Sequence, residues 1–223
     1  LCGSADVLEA LGVKIDVPVP VMERALLEAG IVFMFAPLMH PAMRHVGPVR
    51  RELGIPTVMN IVGPLANPAM AGRQVVGVAD DRRVPLLAGA LQELGTRHAL
   101  VVHGAGMDEI SPLGPTHVVE IRNGEVKQWT IDPAKFGFTG LSAEDLAGGP
   151  PDANAQAVLA VLSGSGNRAS QGAVVLNAGA ALYVSGKADS FGDGVEMARH
   201  AMDRGDGMAA LDRLRAAYSV PAQ

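Results

Sequence analysis

The chain has 223 residues, 48% of them apolar, and is long enough to bury the core of one large α/β domain. A net charge of −5 and only 18 scattered Lys and Arg side chains provide no basic field for a phosphate backbone, so we expect no nucleic-acid partner. Because Cys2 is the single cysteine and no apolar run reaches the roughly 18 residues that span a bilayer, we expect a cytoplasmic protein without a membrane segment.

The N-terminal part predicts two helices and a strand. Ser4 is a natural N-cap and Gly12 a natural left-handed stop, so the pattern predicts a short helix over Ser4 to Leu11. Apolar residues at helical spacing predict a second helix over Val21 to Ala29. The unbroken apolar run from Ile31 to Phe35 is typical of a buried strand, which predicts a crossover unit.

The next part predicts a β-α-β unit. Proline at position 48 favours two short helices, broken at that point, between His40 and Leu53. Strands are then predicted over Gln74 to Ala79 and His98 to His103, with a helix over Pro85 to Leu94 between them. This order predicts parallel strand pairing.

The second half predicts a hairpin followed by helices. Two alternating runs between Val118 and Thr130 flank Asn123-Gly124, a strong signal for an antiparallel hairpin. Ala- and Leu-rich segments then predict four helices, over residues 153–162, 171–185, 192–203 and 207–218. Together these elements predict an α/β fold with a mostly parallel central sheet flanked by helices.

Two segments suggest ligand binding. From His40 to Pro68, proline and glycine fix the backbone around His40, Arg50 and Asn60, as in a ligand-binding loop. Asp108 and Glu109 follow a predicted strand and a Gly-Ala-Gly turn, where paired carboxylates suit Mg²⁺ but also occur as solvated turn residues.

The remaining candidate positions have equally ordinary interpretations. Gly3 and Ser4 begin a helix, which suits an anion but also a simple N-cap. His40 alone fits a capping or core histidine, and Arg50 alone fits a surface arginine. No nucleophile–base pair is evident, since His103 has no evident partner, and no catalytic residue is assigned.

Three motifs together carry a family resemblance. The segment from Gly3 to Gly12, the stretch from His40 to Pro68 and the Asp108-Glu109 pair resemble, in this order and spacing, the anthranilate phosphoribosyltransferases. The resemblance implies a fold similar to that of pyrimidine nucleoside phosphorylases. Family chains are longer, and the part that would precede Leu1 holds a small helical domain, a Gly-Thr-Gly-Gly-Asp phosphate loop and a Lys-His-Gly-Asn-Arg segment.

The resemblance also implies an organisation for the chain. Residues 1–223 are expected to form the large α/β phosphoribosyltransferase domain, with about residues 39–60 packing against the missing helical domain. The start at Leu1 is interpreted as a truncation, and a homodimer is expected to form through the missing domain.

The resemblance implies roles for individual residues. Arg50 would contact the carboxylate of anthranilate, with His40 and Pro64 lining the way into its pocket. Gly3 and Ser4 would contact phosphoribosyl pyrophosphate. Asp108 and Glu109 would bind Mg²⁺ together with pyrophosphate.

The implied reaction transfers a 5-phosphoribosyl group from phosphoribosyl pyrophosphate to anthranilate. Its products are N-(5-phosphoribosyl)anthranilate and pyrophosphate, and it belongs to tryptophan biosynthesis. One alternative is a pyrimidine nucleoside phosphorylase-like enzyme, which Arg50 and the Asp108-Glu109 pair disfavour. A second is a non-catalytic nucleic-acid-binding relative, which the acidic net charge disfavours. Without the phosphate loop, we expect these 223 residues alone to be inactive or nearly so.

Overall fold

A computed structural model describes residues 2–41, 52, 54–55 and 62–219. Its contacts divide the chain into two compact units. The helical unit comprises Leu1–Thr57, Gly148–Gly166 and Asp203–Gln223, and the sheet unit comprises Val58–Ala147 and Asn167–Met202. No helix within the described ranges has the length and apolarity needed to cross a membrane.

Within the described residues, the sheet unit has a sheet of four strands in the order β1-β2-β3-β4. Their bounds are β1 Arg73–Gly77, β2 His98–Gly104, β3 Thr116–Arg122 and β4 Glu125–Ile131. The predicted strands, the intervening helix and the hairpin are therefore confirmed, and so is the α/β class.

The expectation of a mostly parallel sheet is wrong. Only β1 and β2 pair in parallel, whereas β2 with β3 and β3 with β4 pair antiparallel. The reason lies in the connections, because parallel neighbours need a long crossover, usually a helix. Such a helix, α4 (Val84–Glu93), joins β1 to β2, while a loop without a helix joins β2 to β3. A tight turn with Asn123 at φ 53° and Gly124 at φ 85° joins β3 to β4.

Apolar side chains cover both faces of this sheet. Helix α4 packs on one face through Val84, Leu87 and Leu91, against Val101 and Val119. The opposite face packs against helices α6 (Arg168–Ser185) and α7 (Phe191–Asp203). This core includes the fully buried Leu100, Val118, Leu176 and Val195. The sheet is therefore a rigid layer between helices, which fixes the positions at which its loops begin.

The helical unit packs around a second apolar cluster. Its helices are α1 Ser4–Ala10, α2 Val19–Ala29, α3 Ala36–Met39, α5 Pro151–Leu162 and α8 Asp206–Ser219. Buried side chains such as Val21, Ala25, Leu214 and Tyr218 form its core. The predicted helices in residues 153–162 and 207–218 are thus confirmed, as are the two in α6 and α7.

The strand predicted from Ile31 to Phe35 is wrong. This segment belongs to no strand of the structure, and Ile31 is 45% exposed. The hydroxyl of Tyr218 stands in for a strand partner, since it accepts from the Phe33 N–H at 3.0 Å and donates to the Phe33 carbonyl at 2.7 Å. One buried side chain thereby satisfies backbone groups that a sheet would otherwise have paired.

Two further predictions concern the N-terminal half. Gly3, not Ser4, is the N-cap of α1, and its N–H donates to the Asp6 carboxylate at 2.8 Å, so the predicted cap was one residue late. The two short helices predicted between His40 and Leu53 lie outside the described residues apart from isolated positions.

Candidate functional site

The Asp108-Glu109 pair lies in the loop that follows β2. This loop begins with a tight turn in which the N–H groups of Gly104 and Met107 each donate to the other's carbonyl, at 3.0 and 2.9 Å. Ala105 (φ 49°) and Gly106 (φ 84°) both occupy the left-handed region that such a turn requires. The turn directs the chain back across the carboxyl ends of β1 and β2.

Two glycines allow the backbone of the pair to lie directly against the sheet. A Cβ atom on Gly77, at the end of β1, would lie 1.6 Å from the Asp108 carbonyl oxygen. A Cβ atom on Gly104, at the end of β2, would lie 2.4 Å from the Glu109 carbonyl oxygen. Only glycine permits this close approach. Contact between the two backbones therefore sets the distance of Asp108 and Glu109 from the sheet.

Hydrogen bonds to α6 and β3 hold the rest of the loop. The side-chain oxygen of Asn177 accepts from the Ile110 N–H at 3.1 Å, and its amide donates to the Ile110 carbonyl at 2.9 Å. The same amide donates to the Ala173 carbonyl at 2.9 Å, which fixes its orientation. Beyond Ile110, the Ser111 N–H donates to the Thr116 hydroxyl at 3.0 Å. The loop is thus tied by hydrogen bonds to two neighbouring elements, α6 and β3.

The electrostatics of the pair favour a cation. Both side chains are exposed at the surface of the sheet unit. Partial desolvation, and secondarily the adjacent Asp108 carboxylate, raise the pKa of Glu109 above its ordinary value. A divalent cation would relieve both effects, and Mg²⁺ prefers one or two carboxylates completed by water or phosphate oxygens. Within the described ranges no group of three or more His, Cys, Asp and Glu side chains is arranged to hold a metal. The residues therefore fit a magnesium ion shared with a ligand, not a site made by protein alone.

A backbone hydrogen bond holds the His103 ring at the carboxyl end of β2. Its ring Nδ1 lies 2.8 Å from the Val78 carbonyl, to which it donates; this backbone contact is not a nucleophile–base pair. This bond joins β2 to the loop after β1 at the same end of the sheet.

Pro64 lies in a structured loop of the sheet unit. It is half-buried in the 3₁₀ helix Gly63–Ala66. The loop then turns at Asn67, whose side chain accepts from the Ala69 N–H and whose carbonyl accepts from the Met70 N–H, both at 2.9 Å. Residues 63–70, which include the end of the predicted ligand loop, therefore have a defined backbone.

Three other candidates lie in the helical unit. Gly3 and Ser4 are exposed at the start of α1, where the Asp6 carboxylate accepts a hydrogen bond from the Gly3 N–H. His40 is half-buried and follows α3 as its C-cap, with its N–H donating to the Ala36 carbonyl at 3.0 Å. The capping interpretation of His40 is therefore realised by its backbone.

Arg50 and Asn60 lie outside the described residues. The structure describes Asp108, Glu109 and Pro64 in the sheet unit. The magnesium, anthranilate and phosphate contacts expected of the candidate residues remain predictions.

Sequence reasoning missed the residues that support the carboxylate pair. These are Gly77, Gly104 and Asn177, none of which carries chemistry itself. A signal was present for each, because glycine at a strand end marks close backbone approach and asparagine disfavours a helix interior. Neither signal identifies which segment makes the approach.

Comparison with known proteins extends these observations to the whole chain. Residues 1–208 match the family described as "Glycosyl transferase family, a/b domain". Anthranilate phosphoribosyltransferase from Mesorhizobium japonicum is 47% identical over 214 residues, which cover 96% of this chain and 63% of that protein.

Two solved structures resemble the chain closely. Anthranilate phosphoribosyltransferase from Thermus thermophilus matches with a TM-score of 0.91 and 42% identity, covering 98% of this chain and 65% of that one. The enzyme from Saccharomyces cerevisiae, in complex with PRPP and Mg, matches with a TM-score of 0.87 and 27% identity, covering 97% and 63%. The chain thus spans somewhat less than two thirds of the length of these relatives. From the family match over residues 1–208, we conclude that the chain belongs to the glycosyl transferase family with this a/b domain.

Proposed function

We propose that this chain is the larger part of an anthranilate phosphoribosyltransferase of tryptophan biosynthesis. The observation that carries the proposal is 47% identity across 96% of the chain to a relative of that name. The Asp108-Glu109 pair supports the proposal, because adjacent carboxylates in a loop hydrogen-bonded to α6 and β3 suit a magnesium ion shared with pyrophosphate. The reaction would join a 5-phosphoribosyl group to the amino nitrogen of anthranilate and release pyrophosphate.

The residues would act by binding and orientation. Asp108 and Glu109 would hold Mg²⁺, which when bound offsets the negative charge of the departing pyrophosphate. Arg50 would present a planar guanidinium fork to the carboxylate of anthranilate. The defined loop around Pro64 would form one wall beside the acceptor, and His40 another. None of these tasks requires a covalent nucleophile, in keeping with catalysis by positioning.

The donor contacts are shared between this chain and the part that the relatives have in addition. Gly3 and Ser4, at the start of α1, would contribute amide and hydroxyl donors to phosphoribosyl pyrophosphate. In this proposal, residues 1–223 form the large domain, and about residues 39–60 pack against a small helical domain through which the protein dimerises. The enzyme would work in the cytoplasm.

The test uses a chain completed to the length of its relatives. Steady-state kinetics, followed by loss of anthranilate fluorescence, would compare Arg50→Ala with Arg51→Ala as a matched control. We expect Arg50→Ala to raise the KM for anthranilate roughly tenfold or more, and to change the KM for phosphoribosyl pyrophosphate little, because one charge-assisted fork is lost. Arg50→Lys should rescue little.

Two outcomes would refute this assignment. Absence of anthranilate consumption by the completed wild-type chain would overturn the proposed activity. A larger acceptor effect in Arg51→Ala than in Arg50→Ala would leave the activity standing but overturn the placement of the acceptor. In a separate measurement, Asp108→Ala combined with Glu109→Ala should abolish magnesium–pyrophosphate binding without unfolding the protein.

A further inference from the structure

Three arginines of the sheet unit converge at the amino ends of β1 and β2. Arg73 on β1 pairs in register with His98 on β2, and His98 pairs in register with Arg122 on β3. These three residues therefore form one row across the sheet. Arg97 precedes this row, and its backbone is held by bonds to Gly72 and Asn123. This is the end of β2 opposite to the one that leads into the Asp108-Glu109 loop. The row opens on a pocket of about 140 Å³ lined by Arg73, Arg97, His98, Arg122, Asn123, Tyr183, Gly186, Ala188 and Asp189.

The three guanidinium groups retain unused hydrogen-bonding capacity. Among the described residues, the ion pairs involve other arginines and not these three. Arg73 donates to the Val184 carbonyl at 2.5 Å. Arg122 donates to the Tyr183 hydroxyl at 3.3 Å and lies over its ring, 5.7 Å from the centroid. These contacts orient two planar forks but neutralise neither charge, and each guanidinium has five N–H donors.

The acidic groups nearby do not cancel this charge. Glu120 lies beside the pocket and is buried, but its carboxylate is already engaged. It accepts from the Tyr183 hydroxyl at 2.7 Å and the Trp129 indole at 3.0 Å, and pairs with His98 Nε2 at 2.9 Å. Asp189 is the one carboxylate that lines the pocket among the described residues, and the C-terminal end of α6 adds a partial negative charge. The three guanidinium groups outnumber the two carboxylates, Glu120 and Asp189, so the pocket keeps a net positive charge.

We propose that this pocket binds a tetrahedral oxyanion of the phosphate class, either free phosphate or the phosphate group of a small ester. Planar guanidinium forks match the oxygen spacing of phosphate, and three of them arranged around one small pocket favour a dianion over a carboxylate. His98 lines the pocket, and its bond to the buried Glu120 carboxylate holds the imidazole in place. This anion site requires no metal and is separate from the carboxylate pair at the other end of β2.

The test is a calorimetric titration of inorganic phosphate into the 223-residue chain, in EDTA buffer without magnesium. Ionic strength is held constant with NaCl, because nonspecific attraction to arginine is screened by salt. Arg97→Gln and Arg122→Gln are compared with Arg82→Gln, a control that removes an exposed arginine of the same unit paired with Asp80. Thermal unfolding of each variant with and without phosphate gives a second reading of binding and shows that the variant is folded.

We expect saturable binding by the wild-type chain, weakened at least tenfold in Arg97→Gln and Arg122→Gln and unchanged in Arg82→Gln. Binding should also persist when Asp108 and Glu109 are both replaced by alanine. A simple phosphate ester that binds more tightly than free phosphate would identify the ester as the ligand, and the reverse order would identify the free ion. Absence of saturable binding, an equal loss in Arg82→Gln, or equally tight binding of acetate would overturn the proposal.

Discussion

Replacing Gly77 with alanine tests whether backbone contact sets the position of the carboxylate pair. The new Cβ would lie 1.6 Å from the Asp108 carbonyl oxygen, whereas ordinary contact begins at 3.4 Å. Strand and loop would have to separate by about 1.8 Å. Because the atom encountered is backbone and not a flexible side chain, the loop itself must move. Gly77 does not have a positive φ, so the effect is steric and not conformational.

The expected result is a weaker metal site in a protein that still folds. Overpacking of this kind costs about 1 to 3 kcal/mol of the free energy of unfolding. Displacing groups that support metal ligands typically weakens metal affinity about 10- to 100-fold. Calorimetric titration of magnesium–pyrophosphate into the completed chain, with thermal unfolding in parallel, measures both quantities.

Gly89 provides the matched control. It lies in α4, where an added Cβ would meet nothing within 4 Å. Gly89→Ala should therefore leave magnesium–pyrophosphate affinity unchanged and stabilise the helix by about 0.5 to 1 kcal/mol. If Gly77→Ala remains folded and binds magnesium–pyrophosphate as tightly as Gly89→Ala does, the contact does not position the pair and the reasoning is refuted.

Three further substitutions test neighbouring features. Asn177→Ala should lower the free energy of unfolding by about 1 to 3 kcal/mol in chemical denaturation, since it leaves the Ile110 backbone unpaired; an unchanged value would show that the loop is held elsewhere. The raised pKa of Glu109 means that the folded state binds its proton more tightly than the unfolded state, so stability is lost as pH rises through that pKa. Glu109→Gln should therefore raise Tm slightly at about pH 7 and leave it unchanged at about pH 3. A rise in Tm at about pH 3 but not at about pH 7 would contradict this reasoning. Tyr218→Phe should lower the free energy of unfolding by about 1 to 3 kcal/mol, because it removes both hydrogen bonds to the Phe33 backbone. Because burial raises the pKa of Tyr218, the substitution should also reduce the loss of stability above about pH 10. A pH profile of stability identical to that of the wild type would refute the second expectation.

The sequence by itself determined most of the helices, the four strands and the hairpin turn. Asn123-Gly124 specifies a hairpin because few other residues adopt positive φ at both central positions of a tight turn. The helical segments carry apolar periodicity and small residues that favour helix regardless of their neighbours. Asp108 and Glu109 could be singled out because their chemistry and their position after a strand are local features, and their role as metal ligands stays a prediction.

Tertiary structure decided which segments pair and which atoms meet. The β2–β3 pairing is antiparallel because a loop without a helix joins these strands, which a count of alternating elements does not reveal. The segment from Ile31 to Phe35 forms no strand, because the hydroxyl of Tyr218, far along the chain, makes hydrogen bonds to the N–H and carbonyl of Phe33.

The same limit applies to the supports of the candidate sites. The contact of Gly77 with Asp108, and the row of Arg73, Arg97 and Arg122, join residues that are distant in sequence. Local patterns report the conformational preference of a segment. They do not report its partner, because the free energy that selects a partner comes from packing among all the elements together.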